Sequence, residues 1–291
     1  MSASRFIFTD LASEAHDLSG AAEGVSKNVY DSDGFSVTDI RVTDERGADL
    51  LGRPIGSYIT IDVGRLWEQD GEECMRAART ISRHLNDLMH SACKRIESVL
   101  VCGLGNRAVT PDAIGPFTAD TVTVTRHIRE ETGGQGVSPS AYDVSAISPG
   151  VVGQTGVETA ELMSGVVKCL CPSLVIAVDA LAARSVSRLA TTVQMTDTGI
   201  RPGSGIGQKR RELSRETLGV PVIALGVPTV TSCQTIIYDA LSTAGTVLDR
   251  AAERELDRQQ DFFVSLNESD LVVRTLASVL SSAIDMTLLQ K

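Results

Sequence analysis

The runs Ser98-Val99-Leu100-Val101-Cys102 and Leu174-Val175-Ile176-Ala177-Val178 are short and almost wholly apolar. A strand with no polar alternation must be covered on both faces, which restricts the chain to a sheet buried between layers of helix. The first run leads into Gly103-Leu104-Gly105-Asn106-Arg107-Ala108-Val109-Thr110-Pro111-Asp112, the second directly into Asp179. In an open parallel sheet, ligands gather in the crevice at the carboxyl ends of the strands. Two carboxylates delivered there suggest acid–base work on a water molecule.

The rest of the chain alternates in the same way. Strands are expected at 36–42, 56–63, 97–102, 121–125, 144–147, 174–178, 191–196 and 220–225. Helices are expected at 70–92, from Ala113, from a Thr155/Glu158 capping box to about Lys168, over 180–189, over 231–253 and through most of the remainder. Residues 1–34 show no clear period. The order predicts a three-layer α/β fold with a mostly parallel sheet and helices on both faces. The 291 residues fit a single large domain.

The net charge of −10 argues against a nucleic-acid-binding surface, which needs clustered Lys and Arg. The start lacks the apolar core of a secretory signal, and no apolar run approaches the roughly 20 residues of a membrane helix. The six cysteines show no C-x-x-C spacing, and most are expected as small buried thiols, with a reducing, cytoplasmic compartment as the default.

Three motifs invite chemistry. Gly103-Leu104-Gly105-Asn106-Arg107-Ala108 matches a loose dinucleotide pattern, but Thr110-Pro111 interrupts the helix that should follow. Gly203-Ser204-Gly205-Ile206-Gly207-Gln208-Lys209 fails the Walker spacing, yet its amides, like those of Gly103–Asn106, are candidates to hold an oxyanion. Asp112 and Asp179 also suit helix N-caps, so catalysis and capping both stay open on spacing alone. His127 is either a third polar group beside Asp112 or a rim histidine. No metal-ligand spacing such as HExxH occurs, and no cofactor is implied.

Several ordered stretches resemble the germination endopeptidases of spore-forming bacteria. They include Thr9-Asp10-Leu11-Ala12, Val101-Cys102-Gly103-Leu104-Gly105-Asn106 and Val109-Thr110-Pro111-Asp112-Ala113-Ile114-Gly115-Pro116. Others are Pro149-Gly150-Val151-Val152-Gly153-Gln154-Thr155-Gly156, Val178-Asp179-Ala180-Leu181 and Gln194-Met195-Thr196-Asp197-Thr198-Gly199. The match covers most of residues 5–240.

The resemblance implies an endopeptidase that starts the breakdown of small acid-soluble spore proteins. It also implies a phosphorylase/hydrolase-like fold, related to that of the hydrogenase-maturation endopeptidases. Asp112 and Asp179 match the family's proposed catalytic pair, with Asn106, Gly105, Gly203, Gly205 and His127 as possible support. Family members are self-trimming zymogens, and Thr9–Glu14 imitates their substrate. This implies cleavage between Asp10 and Leu11, a propeptide of residues 1–10 and a single peptidase domain over 11–291. A homotetramer in the spore core, with no membrane or nucleic-acid partner, is the further expectation. The alternatives are metal-assisted hydrolysis through Asp112, Asp179 and His127, or a non-catalytic nucleotide- or anion-binding module.

Overall fold

The computed structural model describes residues 9–20, 23–138, 141–204, 210–246, 249–258 and 262–289. The described chain enters through α1 (Ala12–Ser19), β1 (Val25–Ser32), β2 (Phe35–Val42), α2 (Glu45–Leu51), β3 (Gly56–Asp62) and α3 (Gly71–Ala92). Next come β4 (Ser98–Gly103), α4 (Ile114–Thr121), α5 (Arg126–Thr132), β5 (Asp143–Ile147), α6 (Val152–Thr155), α7 (Thr159–Leu170) and β6 (Leu174–Ala182). The described part closes with β7 (Thr192–Thr196), α8 (Arg215–Leu218), β8 (Val222–Ser232), α9 (Cys233–Thr243), α10 (Arg250–Asp257), β9 (Phe263–Val264) and α11 (Ser269–Leu289).

These strands form one sheet in the order β1-β2-β3-β7-β8-β6-β4-β5, with β9 added to β8. The half that carries the two aspartates is parallel, from β8 through β6 and β4 to β5. The other half, β1 to β3 and β7, is antiparallel and joins β8 through β7. The sheet is therefore mixed, within the expected α/β architecture.

The two-residue period of the strands divides the core. Val99, Val101, Ile176 and Val178 face α3 and α11 through Ile81, Leu85, Leu276 and Leu280. Leu100, Cys102, Val175 and Ala177 face Met163 and Val167 of α7 on the other side. On that second side, Ile40, Val42 and Tyr58 pack with Ala12 of α1 and Leu51 of α2. α3 starts where the Asp70 carboxylate accepts the Glu73 N–H at 2.9 Å, and its buried side chains recur at helical spacing. By length and composition α11 would suffice to cross a membrane, contrary to the sequence expectation. Its apolar stripe is buried against α3 and α4 as part of the core.

Several local expectations change. Residues 121–125 are not a strand: α4 ends at Thr121, and Thr125 instead anchors the start of β5, its hydroxyl accepting from Val144 N–H. The 180–189 helix is absent because β6 continues to Ala182, paired along β8 through a bulge at Leu181/Ala182. β8 likewise runs to Ser232, and a helix spans only Cys233–Thr243 before α10. Glu158 precedes α7 without capping it through its side chain. Among the cysteines only Cys102 is buried, while Cys169 and Cys171 are exposed at the end of α7.

The parallel strands meet α4 at very short range. A Cβ on Gly115 would lie 2.2 Å from the Leu104 carbonyl oxygen and 2.4 Å from that of Val178. A Cβ on Gly103 would lie 2.2 Å from the Gly115 carbonyl oxygen. Gly→Ala inside a helix ordinarily stabilises by about 1 kcal/mol. Gly115→Ala is expected to do the opposite, lowering stability in urea unfolding by about 2–4 kcal/mol, because only backbone is available to move.

Candidate active site

Asp179 lies within β6, paired with Gly103-bearing β4 on one side and with Gly226 of β8 on the other. It is 4% exposed, and one carboxylate oxygen accepts the Ala180 N–H at 2.9 Å. It caps no helix, because none follows it directly. The capping alternative therefore falls for Asp179.

Asp112 ends a single 3-10 turn, Thr110–Asp112, between the glycine loop and α4. That turn is tied down from two directions. Thr229 of β8 donates its hydroxyl to the Pro111 carbonyl at 2.6 Å, and Thr110 donates to Asp270 of α11 at 3.1 Å. The Asp112 carboxylate accepts the Asn106 N–H at 2.7 Å and makes no cap to α4. Gly105 sits at φ +114, where a Cβ would lie 2.0 Å from the Asp112 carbonyl oxygen. The glycines that resemble a dinucleotide motif thus let the loop fold onto Asp112. They do not present a helix N-terminus to a pyrophosphate.

Both carboxylates line one cavity of about 560 Å³, together with Asn106, Gly105, Gly203, Thr229 and Phe263. Burial pushes the Asp179 carboxyl well above the usual carboxylate range, and the charges of Asp112 and then Asp10 push it further. Burial also raises Asp112, but the Asn106 N–H opposes the shift by stabilising its charged form. The two environments therefore separate one better acid from one better base.

The start of the described chain is docked at the edge of this cavity. Asp10 donates its N–H to the Ala182 carbonyl at 2.8 Å, and its carboxylate accepts the Ala182 N–H at 2.9 Å. The other Asp10 carboxylate oxygen accepts the Ser204 hydroxyl at 2.7 Å. Leu11 is fully buried with Leu181, Ala183 and Leu189. The Glu14 carboxylate accepts the N–H groups of Arg184 at 2.7 Å and Ser185 at 2.9 Å, with Thr9 donating to it as well. Residues 9–19, expected without regular structure, are thus held by buried contacts.

Some predicted support is not assembled. His127 is exposed on α5 and does not line the cavity, so the ligand set Asp112, Asp179 and His127 is not brought together. The N–H groups of Leu104 and Asn106 are already engaged, by Val178 and by Asp112. Gly205, with the rest of 205–209, lies outside the described residues. Sequence reasoning missed Thr229, Gln194 and Ser204. Gln194 stood inside a family-like stretch and Ser204 inside the glycine-rich run at 203–207, but nothing local marked them as partners of residues 9–14.

Asp179 binds its proton more tightly in the folded chain than in the unfolded one. From about pH 4 upward the native state therefore holds the extra proton, and stability falls as pH rises toward the raised value. Asp179→Asn keeps an acceptor for Ala180 and removes the ionisation. Urea unfolding is expected to show the variant more stable than the parent at neutral pH, with a flatter dependence on pH. A variant less stable than the parent at neutral pH would contradict the assignment.

The family model described as germination protease matches residues 3–288. The chain is 39% identical to a germination protease of Caldanaerobacter subterraneus subsp. tengcongensis, over 97% of this chain and 94% of that one. It is 46% identical to a germination protease of Oceanobacillus iheyensis over 80% of this chain, spanning 66% of that relative's length. A [NiFe] hydrogenase maturation protease, HycI from Thermococcus kodakarensis, aligns over 68% of this chain and 98% of that one. That alignment has 15% identity and a TM-score of 0.30. By its family match and its relatives, the chain belongs to the germination protease family of peptidases.

Proposed function

We propose that the chain is a spore endopeptidase that hydrolyses small acid-soluble spore proteins through a water held between Asp112 and Asp179. The observation that carries this reading is the shared cavity, in which the Asp112 charge raises the Asp179 carboxyl. Close carboxylates do not readily ionise together, so one keeps its proton at working pH. Asp179, the more deeply buried, is that member. Asp112, hydrogen-bonded by Asn106, is the ionised base.

In this mechanism Asp112 takes a proton from water as the water oxygen attacks the scissile carbonyl carbon. Asp179 donates a hydrogen bond to the oxygen that gains charge. The tetrahedral intermediate then collapses, the C–N bond breaks, and the pair returns a proton to the leaving amine. The two groups titrate as a unit, so activity should follow a bell whose limbs belong to the pair.

We further propose that the chain is a zymogen, with residues 1–10 as its propeptide and 11–291 as its peptidase domain. Its first cut falls between Asp10 and Leu11, a reading supported by the docking of Thr9–Glu14 at the cavity edge. The working assembly is a homotetramer in the cytoplasm of the spore core. A monomer mass by light scattering would reject that assembly.

Asp112→Asn and Asp179→Asn are each expected to lower cleavage of a small acid-soluble spore protein by at least about 10³-fold, with near-UV dichroism unchanged. Activity should persist after exhaustive chelation, and loss with recovery on adding a metal would favour metal-assisted hydrolysis instead. Mass spectrometry of the incubated chain should show a product beginning at Leu11, absent from both Asn variants. A wild-type chain that keeps residues 1–10 indefinitely would remove the zymogen reading.

A further inference from the structure

Asn106 commits its backbone and its side-chain oxygen to the loop that carries it. Its N–H donates to the Asp112 carboxylate at 2.7 Å, and its backbone carbonyl accepts the Val109 N–H at 3.0 Å. Its side-chain oxygen accepts twice, from the Ala108 N–H at 3.0 Å and from the Gln154 side-chain amide at 2.8 Å. A backbone N–H can only donate, so the atom that faces Ala108 must be the oxygen, and this fixes the flip of the Asn106 amide. The NH2 group is left on the opposite side of the amide. Among the described residues it has no hydrogen-bond partner.

Those unspent N–H groups belong to a half-buried residue that lines the cavity of both aspartates. The same residue grips the Asp112 carboxylate through its backbone, so its amide stands within one side chain's length of that carboxylate. Neighbouring donors are engaged elsewhere. The Leu104 N–H goes to the Val178 carbonyl, and the Thr229 hydroxyl goes to the Pro111 carbonyl at 2.6 Å. Arg210 faces Glu158 at 3.6 Å and Arg211 faces Glu161 at 3.4 Å. A neutral amide also acts differently from an arginine here. A guanidinium would favour the charged form of both carboxyls and so remove the acid, whereas an amide donates without adding charge.

We propose that the side-chain amide of Asn106 is an oxyanion donor of the hydrolytic site, and that Gln154 is the positioning residue that holds it. The proposal rests on the reading that Asp112 and Asp179 hydrolyse a peptide bond. As water attacks, the substrate carbonyl oxygen gains charge, and an Nδ2–H of Asn106 bonds to it alongside the Asp179 proton. No proton leaves the amide. The bond strengthens as the charge develops, so it stabilises the transition state more than the bound substrate. Gln154 stands on α6, and Val151, Val152 and Gly153 beside it line the same cavity. One hydrogen bond therefore ties this wall of the cavity to the orientation of the amide.

The test uses the full chain with a small acid-soluble spore protein as substrate. The probe is a peptide of residues 9–14 whose scissile amide is replaced by a phosphinate, a tetrahedral centre that carries the charged oxygen. Asn106→Ala is expected to lower kcat by about 10²- to 10³-fold with KM little changed. It should weaken the phosphinate peptide by a comparable factor. The limbs of the pH profile should stay in place, because residue 106 keeps the N–H that holds Asp112. Asn106→Asp keeps an acceptor for Ala108 and Gln154 but loses the donor, and should lose at least as much activity. Gln154→Ala truncates an exposed side chain and should lower kcat and phosphinate affinity together by about tenfold, with KM and the pH limbs unmoved.

Full activity in Asn106→Asp would overturn the proposal, because a side chain needed only to hold the loop is replaced there by its isostere. Limbs that move in Asn106→Ala would also overturn it, since Asn106 would then act through Asp112. A fall in kcat without loss of phosphinate affinity would do the same. Undiminished cleavage by Asp112→Asn would instead overturn the reading on which the proposal rests. If Asn106→Ala does not fold, Gln154→Ala leaves the backbone bonds of the loop intact and carries the same readouts.

Discussion

Gly115 brings the backbone of α4 against the carbonyls of Leu104 and Val178, and Gly103 opens the space for Gly115 in return. No side chain fits between these segments. Because they touch backbone to backbone, the loop after β4 must turn back over the end of β6 within a few residues. The Thr110–Asp112 turn is then pinned by Thr229 and Asp270, from a neighbouring strand and from the last described helix. Asp112 reaches the cavity of Asp179 because of this close contact, and the electrostatics of the site follow from it.

That electrostatic arrangement works against the fold. A carboxyl buried in the centre of a parallel sheet destabilises the native state whenever it must ionise, and a second carboxylate in the same cavity adds to the penalty. The surrounding core supplies the compensation. Strands filled with Val, Ile and Leu pack against α3 and α11 on one face and α7 on the other. Each such side chain contributes about 1.5–3 kcal/mol when fully buried. The site occupies the sheet end where Gly103, Gly105 and Gly115 let backbone segments approach one another closely.

The segment from Thr9 to Glu14 is held at the same sheet end. β6 outruns its neighbour β4 and bulges at Leu181/Ala182, which turns backbone N–H groups of Ala182, Arg184 and Ser185 toward the segment. Asp10 and Glu14 accept them, and Leu11 fills an apolar cluster between the two anchors. Charge-assisted bonds to backbone donors and one buried leucine hold the segment on the rim of the cavity that contains Asp112 and Asp179.

Much of this was legible in the chain itself. The apolar runs at 98–102 and 174–178, the amphipathic period of 71–92 and the α/β order follow from local pattern, because strands buried on both faces and helices buried on one carry that burial in their residue types. The two aspartates could be picked out for the same reason, each standing after a buried strand. The extension of β6 through Asp179, the loss of a strand at 121–125 and the ordering of 9–19 were not legible. Each depends on partners distant in sequence: Gly226 and Leu181, Thr125 with Val144, and Ala182 with Gln194 and Ser204. His127 stood near Asp112 in sequence and yet lies outside the cavity, because α5 turns it to solvent. The sequence by itself determined the buried strands at 98–102 and 174–178, the long helix at 71–92 and the two carboxylates that follow those strands. Only the tertiary structure decided that the carboxylates share one cavity, that a glycine loop seats one of them, and that Gln194 and Ser204 meet Asp10, since hydrogen bonds and close backbone contacts between remote segments leave no periodic trace in the chain.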